Sequence, residues 1–220
     1  MNQKIIIFDI CGTLFQSNTT FDFLNYIYKS NKKYQVFKKI YTSFLWKCFN
    51  KISRKCFGLD FTRKIALRFL KGRRRVDLLK KVDCFYDNML VSKQNIEVIK
   101  ALTKGLDNKH RVILLSATID VVAEIVAKKL NCHEFYSTQL EYKDGLCTGK
   151  ILNDLLGKKL NVICNIRLTN QIDAFYTDDI TDTPVLDITK GKNIIIYPKD
   201  KQRWNKIVEK KRWQANYIEY

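Results

Sequence analysis

The sequence predicts an α/β fold in which a doubly wound parallel sheet carries a helical insertion close to its first strand. Short β-branched apolar runs alternate with helical stretches along most of the 220-residue chain, as in successive strand–helix–strand units. Several of these runs end in a polar side chain. Residues 20–90 lack such runs and instead repeat apolar positions at three- and four-residue steps, which is the period of an amphipathic helix.

The first strand is predicted over residues 4–9, KIIIFD. Its nearly continuous apolar character is typical of a strand that is buried on both faces of a parallel sheet. Asp9 then lies at the carboxyl end of this strand. An aspartate that comes shortly before a glycine could also simply form a turn, so a functional interpretation of Asp9 depends on what the other strand ends carry.

Residues 20–90 are predicted to form a helical and strongly basic insert. The apolar positions that repeat through its first part are Tyr34, Phe37, Ile40, Tyr41, Phe44, Leu45, Cys48, Phe49 and Ile52. Residues 29–81 contain eighteen Lys and Arg but only two acids, Asp60 and Asp77, and so hold +16 of the net charge of +18. Such asymmetry indicates a surface that faces an anionic partner, although a solvated face in a lysine-rich proteome would look the same.

The remaining elements continue the alternation. A helix over about residues 93–106 precedes a second strand in RVILLSAT, which ends at Ser116, and an amphipathic helix over 120–130 follows. A short strand, a hairpin that turns at Asp144-Gly145 and a helix from about Gly157 come next. Two further strands lie in AFYTDDITDTPVL and KNIIIYP. Ligands of such sheets bind outside the carboxyl ends of the strands, so the polar strand ends should share one rim.

The predicted rim carries Asp9, Ser116 and the acidic cluster Asp178, Asp179 and Asp182. Converging carboxylates repel one another unless a cation lies among them, and oxygen ligands without a His or Cys pattern favour Mg²⁺. An aspartate beside such an ion can attack phosphorus and form an aspartyl-phosphate, and a lysine from a nearby helix start can hold the phosphate. Taken alone, Ser116 would more commonly cap the following helix, and Asp179 is predicted to be a loop acid without a metal contact.

Cysteine usage and hydropathy exclude several classes of protein. Seven cysteines without a C-x-x-C pair, together with two histidines, argue against a disulfide framework and a zinc site. Cys132 next to His133 is better explained as a packed cysteine and a surface histidine. The N-terminal residues lack the pattern of a signal peptide, and no apolar run reaches the roughly 18–20 residues of a membrane span. We expect a soluble, cytoplasmic protein.

Four motifs occur in an order that resembles a known family. Residues 9–13, DICGT, resemble its first motif D-x-D-G-T, and VILLSAT resembles the second, a hydrophobic strand that ends in Ser or Thr. DGLCTG followed by GKK is similar to D-G-x-x-T-G and a later glycine and lysine. Residues 178–182 followed by Thr183-Pro184 resemble the fourth, D-x-x-x-D. On these residues the chain resembles the haloacid dehalogenase superfamily, in its phosphoserine-phosphatase-like branch with an inserted helical cap.

The resemblance implies a Rossmann-like core over residues 1–16 and 91–220, with a helical cap over 17–90. It implies a phosphatase in which Asp9 is the nucleophile and a Mg²⁺ ligand. The backbone carbonyl of Cys11 and the carboxylate of Asp178 would be further ligands, and Asp182 would support the metal directly or through water.

The same resemblance implies how the phosphate is held. Ser116 would donate a hydrogen bond to a phosphate oxygen, and Lys159 or Lys158 would pair with the phosphate and with Asp9. The expected phosphate contacts are Gly12, Thr13, Ser116 and Ala117. The substrate would be a small-molecule or lipid phosphate, either an ester or an anhydride.

Cys11 departs from the family pattern, which has an aspartate acting as general acid and base at this position. A thiol titrates near 8.5 against about 3.9 for Asp, and anionic neighbours raise its pKa further. Because general acid–base catalysis contributes about 10² to 10⁴ in rate, turnover should be reduced or atypical. Three interpretations remain: a leaving group that needs no proton, such as that of an acyl phosphate or phosphoanhydride; a proton donor from the cap or substrate; or a catalytically weakened phosphate-binding protein that docks on an anionic surface.

The basic cap is the part of the chain that would contact an anionic surface. Its amphipathic helix interleaves basic and aromatic residues. This pattern is typical of a helix that lies peripherally on an anionic membrane, here on its inner face. Aromatic residues that form the cap's own core would give the same pattern. Nucleic acid is a less favoured partner, because the sequence contains no recognised nucleic-acid-binding motif.

Overall fold

The computed structural model describes residues 3–57 and 60–219. The strands in these ranges are β1 (Ile5–Phe8), β2 (Arg111–Ile119), β3 (Glu134–Lys143), β4 (Leu146–Asn153), β5 (Ala174–Thr177), β6 (Gly191–Ile196) and β7 (Ala215–Glu219). The α-helices are α1 (Thr19–Ile27), α2 (Lys32–Thr42), α3 (Phe44–Phe57), α4 (Phe61–Arg68), α5 (Arg75–Phe85), α6 (Ile96–Asp107), α7 (Asp120–Lys129), α8 (Lys159–Asn165), α9 (Thr183–Asp187) and α10 (Lys201–Lys211). A π-helix covers Tyr86–Leu90, and 3₁₀-helices cover Val91–Lys93, Ile180–Asp182 and Pro198–Asp200.

The strands form one seven-stranded sheet in the order β4-β3-β2-β1-β5-β6-β7. Every neighbouring pair is parallel except β3 and β4. In the centre, Ile7 of β1 lies opposite Ile113 of β2 and Phe175 of β5. The predicted α/β fold is therefore confirmed, and the carboxyl ends of β1, β2 and β5 meet at one edge of the sheet.

Side chains of the central strands alternate between two hydrophobic clusters, one on each face of the sheet. Phe8 and Leu114 belong to one cluster, whereas Ile7, Ile113 and Phe175 belong to the other. All five are fully buried. This burial on both faces explains why the runs read as continuous apolar segments instead of alternating ones.

The predicted hairpin is present between β3 and β4. Its turn residues, Asp144 and Gly145, both have positive φ, 51° and 74°, as a two-residue type I′ turn requires. The helix expected from residue 93 begins later, at Ile96, because Asn95 is its N-cap and accepts a hydrogen bond from the backbone N–H of Val98. The edge strand β7 was not predicted.

Helices α1–α5 lie between β1 and α6 in the chain. Buried side chains of these helices, including Phe23, Tyr34, Leu67 and Phe85, belong to the same hydrophobic cluster as Phe8 on the sheet. The helical segment therefore shares a hydrophobic cluster with one face of the sheet. Its division from the core as a cap domain over residues 17–90 stays a prediction. Among the described residues, no helix has both the length and the hydropathy needed to cross a bilayer.

Candidate active site

Asp9 and Lys159 form a buried ion pair at the carboxyl edge of the sheet. Asp9 directly follows β1, and its Oδ2 lies 2.5 Å from Nζ of Lys159. Lys159 is the first residue of α8, and its Nζ also lies 2.6 Å from Oδ2 of Asp182. Burial lowers the pKa of Lys159, but the negative charges and hydrogen bonds of Asp182 and Asp9 together have a larger effect. The pKa of the lysine is therefore raised above its ordinary value. Lys159 is therefore a buried ammonium group.

Lys158 is the alternative to Lys159 as the partner of Asp9. It is exposed and does not belong to the wall of the cavity that Asp9 lines. Its backbone is not helical, with φ −124° and ψ 16°, and it is the N-cap of α8. Lys159, the first helical residue, is buried and contacts Asp9. Lys159 is therefore the lysine that pairs with Asp9.

Asp182 is engaged by protein donors. Its Oδ2 accepts hydrogen bonds from Nζ of Lys159 and from Oγ1 of Thr177, each at 2.6 Å. Burial raises the pKa of Asp182, although the charge of Lys159 opposes this shift. These contacts make Asp182 the anchor of Lys159. Its support of a metal, directly or through water, stays a prediction.

Asp178 is fixed by the loop that follows β1. Oγ1 of Thr13 donates to Oδ1 of Asp178 and accepts from the backbone N–H of Asp178, both at 3.0 Å. The hydroxyl of Thr13 therefore positions Asp178. Thr13 does not belong to the cavity wall, and its contact with substrate stays a prediction. Gly12 has φ +69°, and a Cβ at this position would lie 2.1 Å from Oδ2 of Asp178. Only glycine allows the loop to approach this carboxylate so closely.

The carboxylates of Asp178 and Asp9 repel each other across this loop. Burial, followed by the negative charge of Asp9, raises the pKa of Asp178 to about 8, and the hydrogen bond from Thr13 opposes the shift. Lys159 contacts Asp9 and Asp182 but gives Asp178 only a more distant positive charge. A cation between Asp9 and Asp178 would remove this repulsion.

These residues fit Mg²⁺. In the ranges that the structure describes, no three acidic, His or Cys side chains converge as a complete metal cluster. Mg²⁺ does not require one, because it commonly binds one or two carboxylates and completes its shell with water and substrate phosphate. Asp9 and Asp178 offer such a pair, and Asp178 has no direct contact with Lys159, whose ammonium group is shared by Asp9 and Asp182.

The thiol of Cys11 lies beside a group of threonines. Its Sγ is 2.9 Å from Oγ1 of Thr19, which is 2.6 Å from Oγ1 of Thr118. Burial and then the charge of Asp9 raise the pKa of Cys11, and the contact with Thr19 only partly opposes them. The thiol is therefore neutral at physiological pH and is a poor proton donor, as expected from the sequence.

A cavity of about 510 Å³ opens at this edge of the sheet. Ser116 is fully buried at its wall, and its Oγ accepts a hydrogen bond from the backbone N–H of Thr118 at 3.3 Å. Ser116 thus makes a local turn contact and also faces the cavity. The predicted site residues that line the cavity are Asp9, Cys11, Gly12, Ser116, Ala117, Lys159, Asp178 and Asp182.

Sequence reasoning missed Arg63, a buried residue of α4 that also lines the cavity. Its Nη1 lies 2.6 Å from Oδ1 of Asp154, and its Nη2 donates to the backbone carbonyl of Ala117. Burial alone would raise the pKa of Asp154, but the charge of Arg63 and several hydrogen bonds lower it. Arg63 thus joins the helical segment to the rim of the sheet.

Two aromatic residues near the C-terminus, which sequence reasoning also missed, support the loops that follow β1 and β5. The hydroxyl of Tyr197 donates to the backbone carbonyl of Gly12 at 2.8 Å. Nε1 of Trp204, a fully buried residue of α10, donates to the carbonyl of Asp178 at 3.3 Å. Both contacts join residues distant in the sequence, so no local pattern indicates them.

The site is an acidic rim with a buried lysine, at the edge of a mostly parallel sheet with a long helical segment after its first strand. These features define a class of α/β proteins. Residues 6–187 match the haloacid dehalogenase-like hydrolase family. The chain belongs to this family.

Comparison with individual proteins supports the same fold. The chain is 25% identical over 142 residues to a phosphoserine phosphatase of Mycobacterium tuberculosis, and the match covers 62% of this chain and 46% of that protein. It thus spans about half the length of the curated relatives that it matches.

Two solved structures are similar over nearly their whole length. One is a protein of unknown function from Bordetella pertussis Tohama I, with a TM-score of 0.76, 17% identity, and coverage of 98% of this chain and 99% of that one. The other is a substrate-bound phosphoserine phosphatase, with a TM-score of 0.59, 16% identity, and coverage of 98% and 93%. At these identities, the likeness establishes the fold alone.

Proposed function

We propose that the chain is a Mg²⁺-dependent phosphohydrolase or phosphotransferase that works through an aspartyl-phosphate on Asp9. The observation that carries this proposal is the Asp9–Lys159 pair, which fixes a carboxylate at the carboxyl end of β1 in the wall of the cavity. Family membership supports it independently. The substrate class is a phosphate ester or anhydride.

The proposed reaction has two steps. A carboxylate oxygen of Asp9 attacks phosphorus, and the bond to the leaving oxygen breaks with its electron pair. Water then attacks the aspartyl-phosphate and releases phosphate and free Asp9. Lys159 pairs with the phosphate, and Ser116 donates a hydrogen bond to it. Asp9, Asp178 and the backbone carbonyl of Cys11 would hold Mg²⁺, which would supply positive charge that offsets the charge of the phosphate.

The neutral thiol of Cys11 restricts the choice of substrate. An alkoxide leaving group needs a proton as the bond breaks, and Cys11 supplies it poorly. An acyl phosphate or phosphoanhydride releases a stable anion and needs no such proton. We therefore expect acetyl phosphate to be hydrolysed faster than p-nitrophenyl phosphate, and both faster than alkyl monoesters such as phosphoserine.

The test is phosphate release by the purified chain with Mg²⁺ on these three substrates. Asp9→Asn should lose activity on all of them, because the amide is not a nucleophile. Asp144→Asn is the matched control, since this residue lies in the β3–β4 turn and asparagine tolerates positive φ. Wild-type protein that is no faster than Asp9→Asn on any substrate would reject the proposal.

A phosphate-binding protein without turnover is the second candidate, and the raised pKa of Cys11 is the observation that favours it. Mass spectrometry of the wild-type chain after incubation with acetyl phosphate separates the two. A phosphoryl group on Asp9 supports catalysis. Saturable binding of inorganic phosphate without any covalent adduct supports the second candidate.

A further inference from the structure

Helices α2 and α3 expose large apolar side chains on the outside of the molecule. We refer to Val36, Ile40, Phe44, Leu45 and Ile52 as the α2–α3 surface. Their fractional exposures run from 47% at Ile40 to 81% at Leu45. A surface that keeps a cluster of such residues in water usually serves to contact a partner.

The orientation of α3 is fixed by its other face. Nε1 of Trp46 donates to Oγ1 of Thr62 at 2.7 Å, and Nδ2 of Asn50 donates to Oδ1 of Asp60 at 3.1 Å. These bonds hold one side of α3 against the start of α4. At 3.6 residues per turn, Phe44, Leu45 and Ile52 fall on the opposite side. The side of α3 held against α4 also borders a second cavity of about 1050 Å³, to which it contributes Trp46, Lys47, Asn50 and Lys51.

Positive charge surrounds the apolar side chains. Lys32, Lys33 and Lys39 are exposed, and helical geometry places them on the same side of α2 as Val36 and Ile40. Neither α2 nor α3 contains an acidic residue in its sequence. The lysines of this surface therefore have no carboxylate on their own helices to neutralise them.

We propose that the α2–α3 surface docks on an anionic lipid bilayer. Apolar side chains that enter the interface, with lysines on the acidic head groups, are the combination that holds an amphipathic helix on such a membrane. A second copy of the chain is a poor occupant, because a symmetric contact would bring the same lysines together. Nucleic acid would use the charge and stack on aromatic rings. Of the six exposed large apolar residues that the structure describes on α2 and α3, four are aliphatic and only Phe44 and Phe49 are aromatic.

Docking in this way leaves the site accessible. The cavity bordered by α3 shares Asp60, Asp178 and Thr181 with the cavity that contains Asp9. Since α3 would meet the bilayer with its outward side, the cavity side would remain open beside the head groups. Binding involves neither Asp9 nor turnover, so the docking proposal and the proposed function can fail separately.

The experiment is co-sedimentation of the full chain with vesicles of phosphatidylcholine, with and without phosphatidylglycerol. We expect binding only to the mixed vesicles, and weaker binding at high salt. Phe44→Ser combined with Leu45→Ser and Ile52→Ser should lower the partition coefficient by about tenfold or more. The matched control combines Val76→Ser, Ile96→Ser and Leu152→Ser, whose side chains are 57–68% exposed elsewhere on the molecule.

A second variant keeps the proposal testable if the serine variant does not fold, which a thermal melt would reveal. Lys32→Glu combined with Lys33→Glu and Lys39→Glu retains every apolar side chain and should also lose binding to the mixed vesicles. The proposal is overturned if wild-type protein does not sediment with mixed vesicles or sediments equally with phosphatidylcholine alone. It is also overturned if folded variants bind like their controls.

Discussion

The acidic rim and the α2–α3 surface handle charge in opposite ways. At the rim, Asp9 and Asp182 are buried and share the ammonium group of Lys159. On the α2–α3 surface, the lysines are exposed and their helices contain no acid. A buried charge without a counter-charge costs several kcal/mol, whereas an exposed charge costs little. The rim is therefore constrained by folding and chemistry, and the α2–α3 surface is free to suit an external partner.

The largest effect on stability should come from removing the shared lysine. Lys159→Met leaves Asp9 and Asp182 buried without their counter-charge, which should lower the free energy of unfolding by about 3–5 kcal/mol. Urea unfolding at neutral pH measures this. Lys158→Met is the matched control, because its exposed side chain should change stability by less than about 0.5 kcal/mol. Equal effects of the two substitutions would show that the buried pair does not form.

Replacing Cys11 tests whether the rim is otherwise complete. Cys11→Asp introduces a carboxyl group beside Asp9, where burial and negative charge favour its protonated form. Hydrolysis of phosphoserine should rise by about 10² to 10⁴, while hydrolysis of acetyl phosphate should change little. Steady-state rates on both substrates measure the difference, with Cys164→Asp at an exposed position as control. A uniform change on both substrates would contradict a role in proton transfer.

Magnesium should stabilise the protein through Asp178. If Mg²⁺ binds only the folded chain, a concentration of a hundred times the Kd adds about 2.7 kcal/mol to the free energy of unfolding. Thermal melts with Mg²⁺ and with EDTA should therefore differ for wild-type protein and coincide for Asp178→Asn. Asp179→Asn should keep the difference, because the Asp179 side chain accepts a hydrogen bond from the N–H of Thr181. A difference that persists in Asp178→Asn would show that Mg²⁺ does not depend on Asp178.

The sequence predicted the central strands and the rim because each strand is a short apolar run with a polar end. Ile7 and Ile113 show this signal, since both faces of the sheet bury such residues. The edge strand β7 gives a weaker signal, because no residue within it is fully buried. Two adjacent lysines fit the motif equally well in the sequence, and the contact with Asp9 distinguishes Lys159 from Lys158.

Contacts between distant segments lay beyond sequence reasoning. Arg63 is one of eighteen basic residues between positions 29 and 81, and only the folded chain shows that it is buried against Asp154. Thr13 was assigned to the phosphate by motif, and the structure shows that its hydroxyl holds Asp178. In both cases the side-chain chemistry was visible in the sequence and the partner was not.

The smallest effect is expected where the helical segment meets the rim, at the pair of Arg63 and Asp154. Asp154→Asn should lower the free energy of unfolding by about 1–2 kcal/mol at pH 7, because one charged hydrogen bond is weakened while Arg63 stays buried. Arg63 lowers the pKa of Asp154 in the folded chain. The stabilisation is therefore present above the ordinary value of about 3.9 and is lost as the pH falls through the lower folded value.

Urea unfolding at pH 7 and at about pH 3 should thus give a difference between wild-type protein and Asp154→Asn that shrinks in acid. Asp187→Asn is the control, because its pair with Lys211 at 2.7 Å is exposed on both sides and should contribute less than about 1 kcal/mol. If Asp154→Asn is no more destabilising than this control, the helical segment is not held to the rim through Arg63. Its attachment would then depend on the shared apolar cluster and on polar contacts such as that between Thr19 of α1 and Thr118 of β2.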